Sequence, residues 1–170
     1  MTGGTGTGML SAMLGDWSDF FVAAAGASAA LAGLIIVAVS VSVTEMITIP
    51  GMVARAGTSI ALLVLVAVVS LAGLIPHQSV LIYGLVTAVF GAVCLGLALN
   101  SYVQLSRANS VRRTVGKSAP LVVPSALVVA GGIVVATGGG AGLGLIAAGV
   151  LLAVAAAVLD AWVVLVEIRR

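Results

Sequence analysis

Five long apolar runs, at residues 20–43, 53–75, 80–105, 121–137 and 143–168, constrain this chain more than anything else in it. A helix needs roughly 20 apolar residues, within a range of about 17–25, to cross the ~30 Å hydrocarbon core of a bilayer. In lipid every backbone N–H and C=O must be satisfied within the protein, so only helices and closed barrels span. The runs lack the strand-length alternation of a transmembrane barrel. The fold class predicted is therefore all-α: a polytopic transmembrane helical bundle of five spans. Composition agrees. Hydrophobic residues make up 62% of the 170, charged residues 7%, and the mean hydropathy is +1.33. A soluble domain carries roughly 25% charge.

Net charge is +2 and no basic stripe interleaves with aromatics, so nucleic acid is not an expected partner. The single Cys94 allows no disulfide within one chain and reads as a small buried hydrophobe. His77 is the only histidine, which leaves no multi-histidine metal site. Neither HExxH nor CxxC occurs, and no paired carboxylates or nucleophile–histidine set lies in the runs. Ser59 and Ser70 read as serines that bond back to their own helix. The expectation is a protein that is not an enzyme and carries no cofactor.

Ahead of the first span, Trp17 suits the membrane interface and Ser18 or Asp19 suits the helix N-cap. Gly26 and Ala30 stand four apart, as do Ala29 and Gly33. Small residues at that spacing permit close approach of a second helix, either as a specific seam or as ordinary packing. Gly84, Gly91 and Gly96 extend this small-residue pattern into span three. Pro50 suits the first turn of span two, where Arg55 can snorkel to the interface with Glu45 as a partner. His77 falls in the tight connection before span three. Tyr83 and Tyr102, near the two ends of that span, match an aromatic belt.

Span four is the shortest. Pro120 and Pro124 are expected in its first turn, Gly131-Gly132 falls inside it, and residues 138–142 are expected to turn the chain into span five. The connection at 106–118 holds Arg107, Arg112, Arg113 and Lys117. With five spans, all seven basic residues fall on one side. The positive-inside rule makes that side cytoplasmic. The N-terminus is then outside, residues 1–15 form a flexible extracytoplasmic tail, and 16–170 form one transmembrane domain in a bacterial inner membrane. The Gly3–Gly8 glycines lack the lysine of a phosphate loop.

One acid interrupts the last run. Asp160 lies eight residues before Ile168, about 12 Å into the helix at ~1.5 Å per residue. An ionised carboxylate there costs about 2.5–3.5 kcal/mol on insertion scales, so it should face protein or water. Depth matches it with Asn100 and Gln104 on span three and with Ser40 and Ser42 on span one. Such a polar cluster could bind a cation or carry a proton. Asp160 could instead bond one neighbour and pin helix register, or lie near headgroups if span five enters less deeply.

The stretches 20–43, Pro50-Gly51-Met52-Val53-Ala54-Arg55-Ala56 and Leu74-Ile75-Pro76-His77-Gln78-Ser79 resemble a family of small bacterial membrane proteins often labelled modulators of the FtsH protease. The similarity covers residues 17–80. It implies an accessory inner-membrane protein and assigns no functional residue. Two functions are thus expected from the sequence. The first is an accessory or scaffold chain that packs laterally, as a homo-oligomer or within a larger complex. The second is an oligomeric ion or proton channel or transporter using Asp160.

Overall fold

The computed structural model describes residues 15–46, 52–108 and 111–168, with side chains described for 15–41, 56–100 and 122–162. Among these residues the regular elements are all helices: α1 Ser18–Met46, α2 Met52–Gly73, α3 Val80–Ala108, α4 Val111–Ala136 and α5 Ala141–Ile168. Four carry windows long and apolar enough to cross a membrane: Ser18–Val41, Ala56–Gly73, Val80–Asn100 and Ala141–Trp162. The apolar part of α4, Val122–Ala136, is shorter.

Local chemistry sets the helix ends. Ser79 caps α3, its hydroxyl accepting from the Ile82 N–H at 3.3 Å. The turn before it places His77 at φ 58°, a left-handed conformation that histidine tolerates better than most non-glycine residues. α4 ends in a Schellman motif. Gly138 takes φ 88°, its N–H donates to Val135 at 2.9 Å, and the Gly139 N–H reaches back to Val134 at 2.8 Å.

The helices α2 and α5 run through the middle of the bundle. α1 packs into the groove between them on one side, while α3 and α4 close the other. The core joins Phe21 of α1, Leu62, Leu65, Val66 and Val69 of α2, Tyr83 of α3, Val128 and Val135 of α4, and Ile146 and Val150 of α5. Trp17, Phe20, Phe21 and Tyr83 form a chain of edge-to-face rings at centroid distances of 5.6, 5.8 and 6.0 Å. The Phe21 ring lies on Gly73, where a Cβ would come within 2.8 Å of it.

The tightest seams flank α4. A Cβ on Gly84 would lie 2.5 Å from the Ala136 nitrogen, and one on Gly132 would lie 2.7 Å from that of Ala88. These pairs run antiparallel, so Gly84 and Ala88 interlock with Gly132 and Ala136. On its other side α4 meets α5 the same way. A Cβ on Gly131 would lie 2.8 Å from the Gly142 carbonyl, and one on Gly149 would lie 3.0 Å from that of Pro124. Gly131-Gly132 thus gives α4 one bare patch of backbone for each neighbour. In lipid, where apolar burial drives little association, such van der Waals contact holds helices together.

Several expectations change. α4 begins at Val111, so Pro120 and Pro124 lie well inside the helix rather than in its first turn. Interior proline costs about 3 kcal/mol in a lone helix, but membrane bundles accommodate it through neighbouring helices. Pro124 is buried, with its carbonyl against α5. The 106–118 connection shrinks accordingly, and Arg107, Arg112, Arg113 and Lys117 belong to helical stretches of α3 and α4. Gly84 and Gly91 are used inside the bundle and are not offered to a partner.

Tyr83 is fully buried in the core instead of standing in an aromatic belt. Its hydroxyl neighbours Thr87, one turn on. The two do not meet with hydrogen-bond geometry, and the Tyr83, Thr87 and Ser70 hydroxyls have no hydrogen-bond partner in the structure. Ser70 therefore does not bond back to its helix. A buried hydroxyl without a partner is destabilising by about 1–3 kcal/mol. Tyr83→Phe should thus leave unfolding in lipid unchanged or shift it to higher denaturant. A clear loss of stability would contradict this.

Candidate functional site

Asp160 is half-buried at one wall of a cleft of about 270 Å³ between α1, α2 and α5. α1 contributes Leu31, Leu34, Ile35, Ala38 and Val39, α2 contributes Ala56 and Ser59, and α5 contributes Ala157, Val158, Asp160, Ala161 and Trp162. Ile35 and Ala157 also form a small buried cluster with Leu63 that joins the three helices. The Ser59 hydroxyl, 2% exposed, donates to Asp160 Oδ2 at 3.4 Å. That is long for an O–H···O bond, so the contact is a weak one. Trp162, two residues on, is 65% exposed.

Ser59 was not expected here. The available signal was depth: it lies seven residues into α2, and Asp160 lies eight before the end of the antiparallel α5. Asn100, the expected partner, stands exposed on α3, which packs on α2 and α4 rather than α5. The structure does not bring it to Asp160. Ser40 is exposed on α1 and donates to its own helix, to the Ile36 carbonyl at 2.8 Å. The side chains of Ser42, Gln104 and Arg55 lie outside the described residues. Trp17 is half-buried against the core, and His77 is exposed in the α2–α3 turn. Cys94 packs between α3 and α2, its thiol 3.8 Å from the Ala61 carbonyl.

Gly26, Ala29, Ala30 and Gly33 are all exposed. Successive helix positions turn by about 100°, which puts them on one face of α1. The buried Phe21, Ala24, Ser28 and Ile35 occupy the opposite face. A Cβ at Gly26 or Gly33 would meet nothing within 4 Å, in contrast with the crowded glycines around α4.

Val41, Leu34, Leu159, Leu151 and Val37 are each at least 61% exposed. Soluble proteins rarely leave apolar patches beyond a few hundred Å² open to water. With four helices long enough to span, this surface belongs in lipid, and the chain is an integral membrane protein of the polytopic α-helical class. Beyond that class it stands apart: no family model, curated protein or solved structure matches it.

Proposed function

We propose that this is a non-enzymatic accessory or scaffold protein of the bacterial cytoplasmic membrane, which uses α1 to pack against a second copy or a larger membrane complex. The observation that carries this reading is the position of the small residues of α1. The close-approach glycines flanking α4 are consumed inside the bundle, whereas Gly26 and Gly33 lie on the face pointing away from it. An apolar face needs no partner in lipid, but a face cut down to Gly and Ala lets a partner backbone approach closely. The resemblance of residues 17–80 to modulator-type membrane proteins supports the same reading.

The basic residues support an orientation with the C-terminus in the cytoplasm. Antiparallel packing of α3, α4 and α5 carries Arg107, Arg112, Arg113 and Lys117 to the end of the bundle where α5 finishes. The alternative, an oligomeric ion or proton channel built on Asp160, rests on the carboxylate alone. The cleft walls around it are almost wholly aliphatic, and selective permeation needs oxygen ligands or charged rings to replace ion hydration.

The test is native mass spectrometry of protein extracted in its own lipid. A homo-oligomer or a reproducible larger partner is expected for the natural sequence. Gly26→Leu with Gly33→Leu should weaken that association at least about tenfold, equivalent to ~1.4 kcal/mol, at unchanged helicity and unfolding. A partner-free monomer, or association untouched by the pair, would overturn the proposal.

A further inference from the structure

We infer that the end of the bundle where Asp160 lies binds the phosphates of anionic phospholipids, through a layer of basic positions that the helix seams bring to one depth. The inference rests neither on the packing face of α1 nor on which leaflet that end meets. Three seams set the layer. Between α4 and α5, Gly149 meets the Pro124 carbonyl and Gly131 meets that of Gly142. The same antiparallel register carries Arg113 level with Asp160. Ser59, at 3.4 Å from Asp160, puts α2 in register there, and Arg55 follows one turn nearer the start of that helix. Gly84 and Ala88 against Gly132 and Ala136 set α3 on α4, which brings Arg107 level with the first turn of α4.

The turns at 74–79 and 137–140 mark the opposite surface of the bundle. Arg55 lies 18 residues before Gly73, and Arg107 lies 27 after Val80. Lys117, Arg113 and Arg112 lie 19, 23 and 24 residues before Ala136. At ~1.5 Å per residue these positions stand about 27–40 Å from the helix ends at the turns. The hydrocarbon core is ~30 Å thick and the bilayer with its headgroups ~40–45 Å. The layer therefore falls at the edge of the core and in the headgroups beyond it. Charge supplies the second half of the argument. All seven basic residues belong to this end, with Arg169 and Arg170 directly following Ile168, whereas its acids are Glu45, Asp160 and Glu167. With each of the three acids fully paired, four of the seven positive charges are left over. Basic clusters of roughly four to eight residues beside a spanning helix attract anionic lipid. Four of the five basic residues on the helices are arginines, whose planar guanidinium takes two phosphate oxygens at once. A phospholipid phosphate already sits at this depth, whereas an acidic protein segment would have to enter the headgroup layer from water.

The test reconstitutes the full chain in phosphatidylcholine bilayers holding a trace of phosphatidylglycerol or phosphatidylcholine, spin-labelled on the acyl chain. Electron paramagnetic resonance then gives the fraction of each lipid held at the protein. Phosphatidylglycerol should be favoured by at least about threefold at ~0.1 M salt, and the preference should fall towards parity at ~1 M, where the screening length is about 3 Å. This salt response is read on the natural sequence and needs no variant. Arg112→Gln with Arg113→Gln and Lys117→Gln should remove most of the preference at unchanged helicity, and Arg112→Lys with Arg113→Lys, which keeps the charge, should retain it. Polyglutamate added to the water phase should leave the bound lipid in place. Equal binding of the two lipids, a preference indifferent to salt, or one untouched by the triple glutamine variant would each overturn the site. Displacement of the lipid by polyglutamate would overturn it in favour of an acidic protein partner.

Discussion

Gly132→Ala is expected to destabilise the bundle by about 1–3 kcal/mol, the usual cost of overpacking a well-packed seam. The new methyl would lie 2.7 Å from the Ala88 nitrogen and 2.9 Å from the Gly84 carbonyl. Both are backbone atoms, so relief requires α3 and α4 to move apart rather than one rotamer to change. Separation along an antiparallel seam also loosens Gly84 against Ala136. The same exchange at Gly33, where nothing lies within 4 Å, should leave stability unchanged or raise it by up to about 1 kcal/mol through helix propensity. Unfolding of both variants in mixed micelles, followed by circular dichroism, compares them directly. Equal effects at the two positions would mean that α4 is not held by close backbone contact.

Phe21→Ala should have an effect of similar size by the opposite route. Phe21 is 1% exposed and ties α1 to the rest through the Tyr83 ring and the bare backbone of Gly73. In lipid the water-transfer part of the usual cost is small, which leaves the cavity. Removing roughly 100 Å³ of ring at ~24 cal/mol per Å³ gives about 2.4 kcal/mol. α1 buries the smallest share of its length among the spanning helices, so the loss should appear there first. Limited proteolysis or hydrogen exchange should show α1 opening at lower denaturant than α2–α5. Uniform loosening of all five helices would place Phe21 in a global core instead.

Much of the fold could be read along the chain because lipid imposes it. Apolar length, absence of charge and the lack of alternation leave helices as the only spanning form. The glycines at 138–140 mark a turn, and Gly138 at φ 88° shows why a side chain is disfavoured there. α4 was harder to read. Pro120, Pro124 and Gly131-Gly132 all argue locally against a long helix, yet the helix runs from Val111 to Ala136. Those glycines are a cost within α4 and an asset between α3 and α5. That trade cannot be seen from one segment.

Asp160 shows the same division. Its position in the last apolar run follows from the sequence, as does its depth. Depth alone points to Asn100, Gln104, Ser40 and Ser42; Ser59, about two turns from its helix end on the same side, fits that depth as well but reads in the sequence as bonding to its own helix. Helix adjacency and rotational phase chose among them. α5 lies against α2 and α1, Ser59 faces it at 3.4 Å, and Asn100 is on a helix that packs elsewhere. The linear order of residues determined that this protein lives in a membrane, because hydration and backbone satisfaction depend on composition along the chain. Which face of each helix meets which neighbour was decided only by the tertiary structure, because a few ångströms of backbone approach set those contacts.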